Sequence, residues 1–220
     1  MAPADLLSLD DAALKALIRA RMSPVPRGDP IADWRFGALA PDRRERLRAF
    51  FPADPVPAAV LVPLVERESG LSVLLTRRAG HLAHHAGQIS FPGGRLEAGD
   101  ADIVGAALRE TEEEIGLTRA SVEVVGFLPD HLVISGYRVT PVVGFVRPGF
   151  DLHPDHAEVA EVFEMPVRFL FDERNHVRRV REWAGEAVEL TDLPYESHLI
   201  WGATAGMLMT FRQVLQGGGL

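Results

Sequence analysis

"GGRLEAGDADIVGAALRETEEEIGL", residues 93–117, opens on two glycines and closes on a cluster of acids. Four glutamates, at 110, 112, 113 and 114, fall within five residues. At about 100° per residue, Val104, Ala107, Leu108, Thr111 and Ile115 share one arc, which predicts a helix over 102–115 with that arc buried. Glu110, Glu113 and Glu114 share a second arc beside it, while Glu112 falls on the other flank. Arg109 stands about one turn from Glu113 and can pair with it. Asp100 or Asp102 serves as N-cap, and Gly116 offers the usual stop.

The second arc breaks local rules. Glu110 and Glu114 are like charges four residues apart, which costs about 0.2–0.5 kcal/mol. All three glutamates lie in the C-terminal half of the helix, where the macrodipole disfavours anions. Such a cluster either faces solvent as an acidic stripe or waits for a cation. Hard carboxylate oxygens in a chain without cysteine suit Mg²⁺ or Mn²⁺. Upstream, Pro92-Gly93-Gly94 lets backbone approach a ligand closely before the chain enters the helix. The Gly-Lys-Ser/Thr part of a Walker A loop is absent.

The 220 residues taken together are ordinary in composition, 47% hydrophobic and 25% charged. A net charge of −8 gives no electrostatic case for general nucleic-acid binding, so an anionic substrate would need local arginines or metal ions. The basic residues are arginine except for Lys15. Without cysteine there is no disulfide framework and no thiolate site. Asp5, Asp10 and Asp11 interrupt the N-terminus against a signal peptide, and no apolar run is long enough for a bilayer. A cytoplasmic protein with no membrane partner is expected.

Residues 1–55 read as an N-terminal helical extension and 56–220 as the main domain. "SLDDAALKALIRAR" predicts one helix with Ser8 as N-cap candidate, and "PDRRERLRAFF" a second, joined by the Pro-rich "SPVPRGDPIADW". The extension either packs on the main domain or contributes to a contact between copies, as in a homodimer. "AAVLVPLVE" and "LSVLLTRR", split by "RESG", predict two strands. "GQISF", "SVEVVGFL" and "VTPVVGFV" predict three more. "HVRRVREW" and "AVELTDL" make a hairpin around Gly185, and "IWGATAGMLMTFRQVL" a closing helix. Strands interspersed with a few helices argue an α/β or α+β domain.

The 93–117 stretch resembles the signature box of the Nudix hydrolases through Arg109-Glu110, Glu113-Glu114 and Gly116-Leu117. It departs from the box in three ways. Asp100 stands where the pattern has a glutamate, one residue is inserted before Arg109, and Thr111 fills a hydrophobic position. "LLTRRAGHLAHHAGQISFPGG", residues 74–94, resembles the motif of the coenzyme A pyrophosphatase branch. Leu74, Leu75, Thr76, Arg78, Gly87, Ile89 and Phe91 to Gly94 fit, while Ala79 replaces a serine and Ala83 an arginine. "IWGATAGML" also looks like that branch.

The resemblance implies a mixed β-sheet sandwiched between helices. It implies Mg²⁺- or Mn²⁺-dependent hydrolysis of a diphosphate, with CoA or an acyl-CoA as the small-molecule nucleotide substrate. Other expected substrates are ADP-ribose or a nucleoside triphosphate. A silent nucleotide-sensing module is disfavoured, because such copies usually lose the glutamates kept here. By resemblance Glu110, Glu113 and Glu114 are metal ligands, with the Gly94 carbonyl beside them and Arg109 holding the glutamates in place. The general base is a helix glutamate, Glu113 or Glu114, or a later acid. Glu158, Glu161 and Glu164 are available, and Glu158 fits the family's position best. The resemblance also places Gly93 against the substrate. Arg77, Arg78 and Arg95 either contact phosphate, which guanidinium suits, or form surface salt bridges. His81, His84 and His85 read as a polar loop at the substrate mouth or as exposed filler, ahead of a metal site.

Overall fold

A computed structural model describes residues 5–26, 42, 45, 51–183 and 185–217. The first predicted helix is α1, Asp11–Arg21. Its N-cap is Asp10, whose side chain accepts from the Ala13 amide at 2.7 Å, and not Ser8, whose hydroxyl donates to the Asp5 carbonyl. The second predicted helix, in "PDRRERLRAFF", and most of the Pro-rich link lie outside the described residues.

The main sheet has eight strands. At its centre β1 (Val56–Arg67) runs parallel to β7 (Tyr137–Val146), in register from Val56 opposite Tyr137 to Val65 opposite Val146. Both strands are apolar because both faces are covered. β2 (Gly70–Arg78) pairs with β1 on one side and with β8 (Val159–Pro166) on the other. β3 (Ile89–Ser90) adds to the end of β2, and β4 (Gly93–Arg95) to the start of β1. β5 (Val122–Phe127) and β6 (His131–Val133) pair with β7. The Pro-Gly-Gly stretch is therefore partly strand. A short helix, α3 (Val167–Phe171), follows β8, and the glutamate helix is α2, Ile103–Ile115.

The late hairpin forms as expected, from β9 (Val177–Trp183) and β10 (Glu186–Tyr195). With β11 (His198–Ile200) it makes a separate three-stranded sheet. The closing helix is α4, Gly202–Leu215.

Strand alternation sorts the apolar side chains into two cores, one on each face of the main sheet. Ala59, Leu61, Val65 and Leu74 meet Ala106, Ala107 and Ile115 of α2. Val62, Leu64, Val73 and Leu75 meet Leu208, Phe211 and Leu215 of α4. Leu14 and Ile18 of α1 join this second core, at 1% and 0% exposure. The first predicted helix thus packs on the main domain. The Lys15–Glu66 ion pair and Arg19 stacked over the Phe145 ring at 4.6 Å line its edge.

Candidate active site

The β3–β4 crossing and the last two turns of α2 form the centre of the site. Asp102 caps α2, accepting from the Gly105 amide at 2.8 Å, and Gly116 ends it in the left-handed conformation. The buried face differs from the expected arc. Val104 and Leu108 are only half buried, whereas Ala106 and Glu114 are buried. Glu114 is 6% exposed, so a carboxylate sits where the helical wheel put an acidic flank.

β4 explains the two glycines. Gly93 has φ +152, and a Cβ there would lie 2.3 Å from the Ala59 carbonyl oxygen. A Cβ on Gly94 would fall 2.3 Å from Oε1 of Glu110. The strand therefore presses bare backbone against α2, with Gly94 beneath the Glu110 carboxylate. The Gly93 amide donates to Oε2 of Glu114 at 3.1 Å.

Arg109 organises the other acids. Its Nε and Nη2 donate to the two carboxylate oxygens of Asp100 at 2.9 and 3.0 Å, and Nη2 also reaches the Arg95 carbonyl at 3.2 Å. Its Nη1 lies 3.1 Å from Oε1 of Glu110 and 2.9 Å from Oε2 of Glu113. The Arg109 hydrogen bonds, with that of the Glu97 amide, hold the Asp100 carboxyl down at about 2. Asp100, the residue that departs from the family box, is thus the anchor of Arg109. The spacing of the sequence gave no sign of this, because the pair forms only when the 95–100 loop folds back over α2.

Electrostatics separate the three glutamates. Burial raises the Glu110 carboxyl, against the pull of Arg109. Burial pushes Glu114 up to about 7. The Gly93 amide and Arg78 oppose that rise, and the charges of Glu110 and Glu158 add to it. Glu113 is exposed apart from its contact with Arg109. Glu158, beside the start of β8, is brought close by the bond from the Ala79 amide to its carbonyl, 2.7 Å. Of the three later acids it is the one that acts on the helix glutamates. Glu161 pairs with Arg77 at 2.9 Å and Glu164 with Arg67.

The three candidate phosphate arginines divide the same way. Arg78 points to the site, its Nη1 lying 3.8 Å from Oε1 of Glu114 and its buried Nε lacking a hydrogen bond. Arg77 alternates to the side of Val73 and Leu75 and forms the salt bridge with Glu161. Arg95 donates to the Tyr137 hydroxyl at 3.0 Å and stacks over its ring. Arg77 and Arg95 are therefore occupied by protein partners rather than aimed at the glutamates. The period-two alternation of a strand carried the signal that separates Arg77 from Arg78. The three loop histidines are exposed, and His85 Nδ1 lies 2.9 Å from the Gln88 side chain.

Among the described residues no three His, Asp or Glu side chains converge on one point as a metal cage, since Arg109 draws Glu110 and Glu113 to itself. The donor chemistry nonetheless suits a hard divalent ion. A carboxylate raised to about 7 by burial and like charge is short of positive charge, and backbone free of Cβ lies beneath its neighbour.

The NUDIX domain model matches residues 55–189. The chain is 44% identical over 153 residues to an Escherichia fergusonii protein called "Uncharacterized Nudix hydrolase NudL", covering 69% of this chain and 78% of that one. It is 42% identical over 152 residues to the protein of the same name from Citrobacter koseri, with the same coverage, 69% and 78%. Among solved structures, the MutT protein from Methanosarcina mazei superposes with a TM-score of 0.48 at 18% identity, over 77% of this chain and 99% of that one. This chain belongs to the Nudix family, hydrolases of small nucleoside diphosphate derivatives that work with divalent metal ions.

Proposed function

We propose that the chain hydrolyses the diphosphate of coenzyme A or its thioesters, giving 3′,5′-ADP and 4′-phosphopantetheine or its acyl form. The observation that carries this reading is the position of the 74–94 segment, which resembles the CoA branch. Its Arg78 and its Gly93 amide both meet Glu114, so that stretch abuts the acidic helix.

Glu110, Glu113 and Glu114, with the Gly94 carbonyl, would hold Mg²⁺ or Mn²⁺. The bound ion would neutralise phosphate charge and make a water more acidic. In the reaction a water oxygen bonds to one phosphorus while the bridging P–O bond breaks. The water's proton leaves to a carboxylate, and Glu158 or a helix glutamate, Glu113 or Glu114, takes it. Arg78 offers a guanidinium to the diphosphate oxygens. Arg109 keeps the glutamates in place. Residues 56–220 make up the catalytic domain in this proposal, residues 1–55 its extension, and the protein works in the cytoplasm.

The test is hydrolysis of CoA by purified protein with Mg²⁺ or Mn²⁺, with products separated by chromatography. ADP-ribose and the Glu114→Gln variant run beside it. Release of 3′,5′-ADP by wild type, largely lost in the variant, is expected. Cleavage of ADP-ribose but not CoA would keep the metal site and overturn the CoA assignment. Ala79, buried at 3%, and the exposed Ala83 are the departures that favour this second substrate.

A further inference from the structure

On the face of β2 and β8 turned away from α2, a second charged cluster sits beside the site without touching it. Glu161 on β8 accepts from Arg77 Nε at 2.9 Å, and its other oxygen lies 3.3 Å from His198 Nε2. His198 comes from β11 of the small sheet and is 9% exposed. Its ring stacks on Phe163 of β8 at 3.8 Å and 4°. Phe163 in turn stacks near Tyr195 of β10. Arg77, then His198, hold the Glu161 carboxyl below its usual range. Three elements remote in sequence therefore meet at one carboxylate.

The cluster lies next to an irregularity in the β2–β8 ladder. Arg77 pairs with Glu161, but Arg78 pairs with Val159, so the register shifts between Arg77 and Arg78. A bulge of this kind re-aims the side chains beside it. The extra residue is Ala160, so the bulge lies in β8 and re-aims the start of that strand: Val159 turns to the α2 side, and Glu158 before it, whose carbonyl the Ala79 amide holds, acts by its charge on Glu110 and Glu114. Without the extra residue Val159 would fall on the same face as Glu161, away from α2.

Resting on the hydrolase function proposed above, we propose that Glu161 is a positioning residue. Clamped by Arg77 and His198 on the far face, it locks the β8 bulge that delivers Glu158 to the glutamates. The small β9–β10–β11 sheet has its role here, as the carrier of His198. Arg77 thereby serves the site through register rather than by touching phosphate.

Two readouts test the clamp in the full chain. Amide hydrogen exchange reads the register directly. Glu161→Gln is expected to speed exchange of the Ala79 amide by about tenfold or more, leaving Leu74 and Leu75 in the same strand unchanged. Unchanged Ala79 exchange overturns the clamp, whatever the substrate proves to be. A kinetic cycle then reads the consequence. Glu161→Gln is expected to lower kcat/KM about tenfold in the wild-type background and less than about twofold in Glu158→Gln. Fully multiplicative losses would mean that Glu161 acts only on general stability and would overturn the positioning role. His198→Phe keeps the ring over Phe163 but removes the nitrogen that meets Glu161. It is expected to reproduce Glu161→Gln, and a harmless His198→Phe removes His198 from the clamp. Absence of any diphosphate hydrolysis by wild type would sink the functional proposal, and with it the catalytic consequence, while the exchange result still decides whether the clamp exists.

Discussion

Replacing Glu114 with glutamine removes a charge from a buried position while keeping its volume and an acceptor for the Gly93 amide. The folded carboxyl lies at about 7 against an ordinary value of 4.5. Because the folded value is raised, the group favours folding below about 4.5 and loses that advantage as pH rises toward 7. The gap of about 2.5 units corresponds to about 3 kcal/mol of destabilisation once Glu114 is ionised in both states. At pH 5 most of the penalty has not yet developed, and it is under about 1 kcal/mol. Urea denaturation of metal-free wild type and Glu114→Gln at pH 5 and pH 8 measures this. The variant is expected to be the more stable at pH 8 by about 2–3 kcal/mol, with a small difference at pH 5. Added Mg²⁺ at pH 8 should reverse the order, because a ligand that binds only the folded state stabilises wild type and finds one carboxylate fewer in the variant. A variant no more stable than wild type at pH 8 without metal would refute the account of a buried, charge-strained carboxylate.

Two further changes probe the surroundings. Gly94→Ala places a methyl 2.3 Å from Oε1 of Glu110 and should displace that carboxylate. The expected result is a fall of about a hundredfold in kcat/KM with weaker Mn²⁺ binding by calorimetry. The melting temperature should change little, because the displaced atoms end a flexible side chain. Wild-type activity in Gly94→Ala would show that Glu110 does not act from this position. Ile18→Ala in α1 empties a fully buried site in the core beneath α4 and should cost about 2–5 kcal/mol in urea denaturation. A loss under about 1 kcal/mol would mean that α1 does not hold to the sheet in solution.

Much of the site was legible in local pattern. The helical wheel separated Glu110, Glu113 and Glu114 from Glu112, and Glu112 indeed turns away, toward Arg119. Arg109 pairs with Glu113 one turn on, as the spacing predicts. The wheel failed on burial, because periodicity reports which residues share a face and not what covers that face. Glu114 is buried since β4 crosses α2 at two glycines, a long-range contact that leaves no trace in the helix itself. Asp100 looked like a defective copy of a family position. Its use as the Arg109 anchor depends on how the 95–100 loop returns over the helix.

The chain's own order of residues therefore determined the elements, from the apolar runs of β1 and β7 to the acidic stripe of α2, because helix and strand periods are local properties. It also determined that the acids would be three and would share one side. Tertiary structure alone decided their separate states, with Glu114 buried and its carboxyl raised to about 7 and Glu113 exposed on Arg109. Alternation put Arg77 and Arg78 on opposite faces of β2, and tertiary structure decided that the face of Arg78 is the one that meets Glu114. Those outcomes depend on desolvation and on charges brought together across the fold, from segments whose distances along the chain carry no information about their distances in space.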